Sequence, residues 1–568
     1  MAIQDARQID ENSRLECDVC VVGGGAAGVT LALQLSRSSM SVILLESGDW
    51  KADAQTQELY HGETADESLH SRPQFYRQRR FGGSTTIWSG RCVPYDPIDF
   101  EKRDYMPESG WPIGYDEIEP YYRRATRICE AGQYAFRVAE ALPGAPAQMI
   151  PGFTSQLVET DSLERFSRPT HFARRYRRLM EWSSRLRVIL NSNCVHLAVR
   201  GESRTIDHLT VSTLEGRKFT VAARRFVLAT GGLEVTRLLL ASRDVFPEGI
   251  GNGSDQLGRY YMCHIAGTLG QLELNVARPR EFHGYEIAPD GVYCRRRFQL
   301  AADEQRRLGV GNLIARMHHP TISDPDHRTG PLSALYLARH LLPREFSKRA
   351  HGADRSFSML ARHVRNVVGD PLYTARFLSH WFWRHTLPAR KFPSVIVNPR
   401  SQRYTLDFHA EQVPNFDSRV QLSNQRDRLG MPRLHIDWRY TPLDVHTVGR
   451  SFGVLAQEFE RTGVGRLTFQ DHEIEAAIMR EGAYGGHHIG TTRMSDSASR
   501  GVVDHNCRVH GLKNLYIASS SVFPTSSQAN PTLTIVALAL RLANHLDKFA
   551  APDVVSAAPP EPATAEAL

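Results

Sequence analysis

The stretch Asp18-Val-Cys-Val-Val-Gly-Gly-Gly-Ala-Ala-Gly28 decides the fold of this chain. Its apolar run Val19–Val22 reads as a short buried strand, and Val29–Leu35 has the composition of a helix that packs back on a sheet. Between them Gly23 permits a tight turn, Gly25 lets the backbone approach a pyrophosphate, and Gly28 allows the helix to close on the strand. Gly23, Gly25, Ala26 and Gly28 are therefore candidate nucleotide contacts at a helix amino end, where unpaired N–H groups favour anions. A second apolar run, Ser41–Leu45, ends at Glu46, 18 residues beyond Gly28, where an acid can accept hydrogen bonds from ribose hydroxyls. An acid there disfavours a 2′-phosphate.

Further segments extend this unit. Arg80-Phe-Gly-Gly-Ser-Thr-Thr-Ile-Trp-Ser-Gly90 is a second glycine turn, and its Arg80, Gly82, Gly83, Ser84, Trp88 and Ser89 suit a flavin ring better than a nicotinamide. Phe226–Gly232 is another strand entering a glycine turn through Ala229, and Arg187–Leu190 with Val195 reads as a strand pair flanking an adenine. At the far end, Asn514–Ala518 reads as a buried strand that delivers Ser519 and Ser520. Pro531-Thr532 then starts a helix over Leu533–Leu546, with proline in the first turn and N–H groups aimed at an electron-rich ring edge. Just before this strand lies His487-His488-Ile-Gly-Thr-Thr-Arg-Met494.

Through these segments the chain resembles the glucose–methanol–choline oxidoreductases, FAD-dependent enzymes that oxidise alcohols. The Asn530-Pro-Thr532 ending and Trp88 carry a closer likeness to pyranose oxidase-like and sugar or polyol dehydrogenase-like members. The resemblance implies an α/β fold: a Rossmann-like FAD domain from discontinuous segments, plus an antiparallel-sheet substrate domain. The corresponding boundaries are 15–115, 185–265 and 479–550 for the FAD side, 116–184 as a connecting segment, 266–478 for the substrate side and 551–568 as a disordered tail. It further implies that His487 takes the hydroxyl proton, that Asn530 positions the oxygen, and that Asn530 and Thr532 also border the flavin. A neutral imidazole suits the first task, since its unperturbed pKa lies near operating pH. Adjacent residues on extended backbone point oppositely, so His488 is expected to pack behind His487. Members that bind FAD covalently place a histidine five residues after the first glycine of the second loop; here that residue is Ile87, so non-covalent FAD is expected.

Composition is compatible with this reading. At 568 residues two domains are expected, and eight cysteines do not suggest a disulfide framework. Cys17 and Cys20 have CxxC spacing, but no second pair or nearby histidine completes a metal site, so a strand is expected and no metal is assigned. The charged first 16 residues do not read as a secretory signal and no run is long enough to span a bilayer, which makes cytoplasmic residence the expectation. The net charge of +7 is concentrated in 331–391, where eleven Lys or Arg face three acids. That pattern argues against a nucleic-acid-binding fold. It reads as a helical insertion, either packed on the sheet domain or offering a basic surface to a membrane face, an anionic saccharide or an electron acceptor. A redox-neutral FAD lyase, a flavin-bearing interaction protein and a nicotinamide enzyme are the alternative functions.

Overall fold

The computed structural model describes residues 2–275, 282–339, 356–387, 390, 393, 396–399, 401–483 and 486–548; the expected tail at 551–568 lies outside them. An eight-stranded sheet is built around Arg14–Val22, with Val42–Leu45, Leu186–Leu190 and Ile3–Asp5 on one side and Lys218–Leu228 on the other. The last residues of Lys218–Leu228 pair in parallel with Leu515–Ile517, while its first half pairs antiparallel with Thr205–Ser212. Val19–Val22 and Val42–Leu45 are buried throughout, as both-face burial of a parallel sheet requires. The helices Ala26–Leu35 and Thr532–Asp547 pack against each other, so the two ends of the chain share one core.

The strand pair expected from Arg187–Leu190 and Val195 does not form. Leu186–Leu190 pairs with Val42–Leu45, whereas Val195 lies in Asn193–Arg200 at the far edge beside Thr205–Ser212. The strand composition was right, but apolar alternation carries no information about the partner. Pro531 is also one place earlier than expected: it caps the Thr532–Asp547 helix rather than entering its first turn.

A second core lies on a six-stranded sheet in which His264–Leu274 and Arg403–Glu411 pair antiparallel; alternation over Gly267–Leu274 and Arg403–Phe408 predicts both as strands. Leu313–His318 flanks Arg403–Glu411, and a smaller sheet joins Tyr293–Arg296, Leu163–Phe166 and Arg91–Cys92. The insertion contains helices Gly330–Leu337, Phe357–Val368 and Pro371–Trp381 among its described residues. Among the described residues no helix is long and apolar enough to cross a membrane.

Candidate active site

Because the central strands run parallel, their carboxyl ends lie along one edge of the sheet, where open α/β sheets bind ligands. Val22, Leu45, Leu190, Leu228 and Ile517 end there and are followed by Gly23, Glu46, Asn191, Ala229 and Ala518. This edge opens on a cavity of about 1800 Å3, whose opposite wall comes from the antiparallel sheets. Of the residues singled out from sequence, Gly23, Gly25, Ala26, Glu46, Arg80, Gly83, Ser84, Trp88, Ser89, Val195, Ala229, His487, Ser519, Asn530 and Thr532 all line it. Gly28 and Gly82 stand behind the lining. A Cβ on Gly28 would come 1.8 Å from the Gly23 carbonyl oxygen, so this glycine serves the close packing of helix on turn. Gly82 has φ +98°, and a Cβ there would meet the His171 ring at 2.7 Å.

The glycine loop is shaped from two sides. Gly23 has φ +105° and a Cβ would strike the Ala229 carbonyl at 2.5 Å, whereas a Cβ on Gly25 would meet nothing within 4 Å. The turn is therefore tight where it touches protein and open where it faces the cavity. Glu46 is buried; its two carboxylate oxygens accept from the Gly24 and Gly48 amides, each at 2.7 Å. Burial raises its pKa in spite of these bonds.

Three helices begin on this cavity, Ala26–Leu35, Gly231–Ala241 and Thr532–Asp547, and none has a side chain capping its first N–H groups. Uncapped helix amino ends converging on one space suit a ligand with several negative or electron-rich groups. A dinucleotide with a flavin ring fits that donor set.

The opposite wall carries His487, with His264 and His409 beside it. His264 Nε2 lies 3.2 Å from the Ser526 carbonyl oxygen, and its Nδ1 lies 2.8 Å from His487 Nδ1. A carbonyl only accepts, so neutral His264 carries its proton on Nε2 and accepts at Nδ1. His487 must then donate from Nδ1, which places its basic lone pair on Nε2. His487 is half-buried, opening on the cavity but otherwise enclosed by protein. Burial and the neighbouring Arg91 push its pKa down to about 3, so it is neutral at ordinary pH. His409 stands beside His264, ring centroids 4.4 Å apart, and bonds the Gln528 carbonyl through Nδ1 at 2.7 Å.

Asn530 is oriented by similar logic. Arg91 Nη1 lies 2.6 Å from Asn530 Oδ1. A guanidinium only donates, so the amide oxygen faces Arg91 and the Asn530 NH2 group is left to donate elsewhere. Arg91 is held in turn by Glu164, with Nε and Nη2 at 2.9 and 2.7 Å from Oε1. Burial lowers the Arg91 pKa to about 10, while Arg316 and Arg91 together hold Glu164 down at about 2, against its burial.

His488 faces away from His487, as extended backbone dictates. Its Nδ1 bonds Tyr261 Oη at 2.5 Å, and Tyr261 Oη bonds His70 Nε2 at 2.8 Å. Two groups of side chains, His70 with Cys263 and His488, and His264 with His409 and His487, bring metal-capable atoms together. In both, several of those atoms are engaged in the hydrogen bonds just described.

Arg91, Glu164, His264 and His409 were not singled out from sequence. Arg91 directly follows the quoted Ser89-Gly90 turn, and that adjacency was its one visible signal. The two histidines carry no local signal; they meet because Ala266 pairs opposite His409 across two strands.

Comparison with known proteins agrees with this geometry. A family model described as FAD dependent oxidoreductase matches residues 18–362, and one described as GMC oxidoreductase matches 414–539. The chain is 36% identical to "Dehydrogenase str4" of Strobilurus tenacellus, covering 95% of each. It is 24% identical to the "Paromamine 6'-oxidase" of Streptomyces fradiae over 95% of this chain and 92% of that one. It is also 24% identical to the "Fructose dehydrogenase large subunit" of Gluconobacter japonicus, over 94% and 98%. A fungal aryl-alcohol oxidase structure shares the fold with TM-score 0.55 at 14% identity, covering 95% of this chain and 100% of the other.

Proposed function

The chain belongs to the GMC oxidoreductases, a family of FAD-dependent enzymes, and from that premise we propose that it oxidises a CH–OH group of a sugar, glycoside or polyol to a carbonyl. The relatives named as paromamine oxidase and fructose dehydrogenase support the substrate class. The observation that carries the chemistry is the tautomer chain Ser526–His264–His487, which presents a neutral base at the cavity. FAD would be held along the glycine loops and the three helix amino ends, and would supply the hydride acceptor. His487 Nε2 takes the hydroxyl proton. Asn530, its oxygen held by Arg91, donates its NH2 to the substrate oxygen, and the Arg91 charge favours negative charge developing there.

His487→Ala tests this assignment. It should retain the flavin spectrum yet slow anaerobic flavin reduction by an active sugar about 10²–10⁴-fold. Near-normal reduction would remove His487 as the base.

The FAD is non-covalent in this reading, because Ile87 occupies the attachment position and lines the cavity. Acid precipitation should leave the yellow chromophore in the supernatant; colour in the pellet overturns it. For the insertion we favour a contact surface: Phe357, Leu372 and Trp383 are exposed by 88, 85 and 63% on its helices, amid arginines. Salt-sensitive binding to anionic vesicles or acidic glycans supports that role, and indifference to both counts against it.

A further inference from the structure

Three neighbouring strands on the cavity wall facing the glycine loops carry more cation than the carboxylates beside them neutralise. Arg91, Arg295 and Arg316 all line it, on the strands Arg91–Cys92, Tyr293–Arg296 and Leu313–His318. One fully buried carboxylate, Glu164, stands behind them. Its Oε1 takes Arg91 and its Oε2 takes Arg316 at 3.3 Å. Asp407, on the strand beside Leu313–His318, accepts from Thr268 Oγ1 at 2.7 Å and lies 3.6 Å from His318 Nε2; Glu473 and Glu481 line the cavity from the helix Asp471–Glu481. Arg297, also buried, lies behind the lining and bonds Ser162, Gln299 and Gln528, with Asp96 its leading opposing charge. Asp407 and Glu164, the carboxylates whose charge reaches Arg295, leave one positive charge in excess among these three arginines.

Arg295 is where that excess sits. It is 4% exposed and pairs in register with Glu164 on the neighbouring strand, yet Glu164 is turned to Arg91 and Arg316. Among the described residues no carboxylate lies within ion-pair distance of Arg295. Its guanidinium instead donates to the carbonyls of His283 and Met317, at 3.2 and 2.7 Å, and to the Tyr285 phenol, whose ring it lies beside. A buried cation held by neutral dipoles, with Glu164 and Asp407 acting on it only from beyond ion-pair contact, is costly, and the cost falls when a ligand brings a charge of its own. Burial lowering the Arg295 pKa agrees with that incomplete compensation.

We propose that the substrate is an anionic alcohol, a polyhydroxylated molecule bearing a carboxylate or phosphate that Arg295 receives while its carbinol meets His487 and Asn530. A bidentate guanidinium–oxyanion pair matches either group. Only the identity of the reacting atoms rests on the oxidoreductase reading; the anion site stands on the wall itself.

The test is a titration of the aerobic, oxidised holoenzyme, read as perturbation of the flavin absorbance, with D-gluconate, D-glucitol 6-phosphate and D-glucitol. At least one anionic probe should bind about tenfold or more tightly than glucitol, and the stronger of the two shows which oxyanion the site takes. Arg295→Gln should erase that preference without weakening glucitol, and Arg295→Lys should keep part of it. Glucitol binding as well as both anions, or a preference untouched by Arg295→Gln, overturns the proposal. If Arg295→Gln fails to hold FAD, the wild-type comparison and Arg295→Lys still decide. Anaerobic bleaching by the same probes separately tests the oxidoreductase reading: anion preference without bleaching by any alcohol would sink that reading and leave the anion site.

Discussion

The two walls of the cavity are built by opposite strategies. On the parallel-sheet side, backbone makes the site: turns, amide groups and helix ends, with side chains trimmed to glycine where chain must pass close to chain. On the antiparallel side, side chains make it, and each is oriented by a hydrogen-bonding partner: Glu164 holds Arg91, Arg91 holds Asn530, the Ser526 backbone carbonyl fixes His264, and His264 fixes His487. The first wall can fail only by steric damage or lost amides. The second can be detuned one link at a time while the fold stands.

Glycine substitutions should break the first wall most severely. Gly28→Ala places a methyl 1.8 Å from the Gly23 oxygen, a backbone contact that no rotamer relieves. We expect about 3 kcal/mol or more of destabilisation and purification without flavin. Gly25→Ala is the control, because its methyl enters open space. That variant should melt like the wild-type apoprotein while its FAD affinity falls at least about tenfold, since the methyl stands where a pyrophosphate would approach. Equal damage from both, by thermal melts and flavin titration, would mean that the loop is merely structural.

On the second wall, Arg91→Met should leave FAD bound but lower the limiting rate of flavin reduction about 10²-fold. Both Asn530 orientation and positive charge are lost, and Glu164 keeps Arg316 as its partner. Because a depressing charge beside His487 is removed, the acid limb of the rate profile should move to higher pH. An effect confined to KM, with the pH profile unmoved, would make Arg91 a scaffold residue instead. Arg91→Lys should recover part of the charge effect but not the bond geometry.

This contrast also explains what could be read from sequence. The glycine loops, the strand ends and Glu46 were legible because each requirement is met within a few neighbouring residues: Gly23 needs a positive φ, and Gly28 has no room for a side chain. His487 and Asn530 were legible through a family pattern. His264, His409 and Glu164 were not, since nothing beside them in the chain announces a role; strand pairing alone sets His409 on the cavity and His264 and Glu164 behind its lining. The misplaced partner of Leu186–Leu190 has the same cause, for a strand's composition states its burial but not its neighbour.

The smallest effect we expect concerns the hydrogen-bonded chain from His488 through Tyr261 to His70, behind His487. His70 is buried, its Nδ1 bonds the Ser71 carbonyl and its Nε2 meets Tyr261, and burial pushes its pKa down to about 4. A histidine held neutral in the fold is protonated first in the unfolded chain. Its contribution is therefore complete above about pH 6.5 and declines as pH falls toward 4. At pH 5 the penalty relative to pH 7.5 is about 2 kcal/mol. Replacing it by phenylalanine removes two hydrogen bonds and should lower stability at pH 7.5. The same replacement should make the loss of stability between pH 7.5 and pH 5 shallower by about 2 kcal/mol in chemical denaturation. A parallel acid limb in both proteins would show that His70 takes up its proton as readily folded as unfolded, and that the wall behind His488 is wetter than its burial implies.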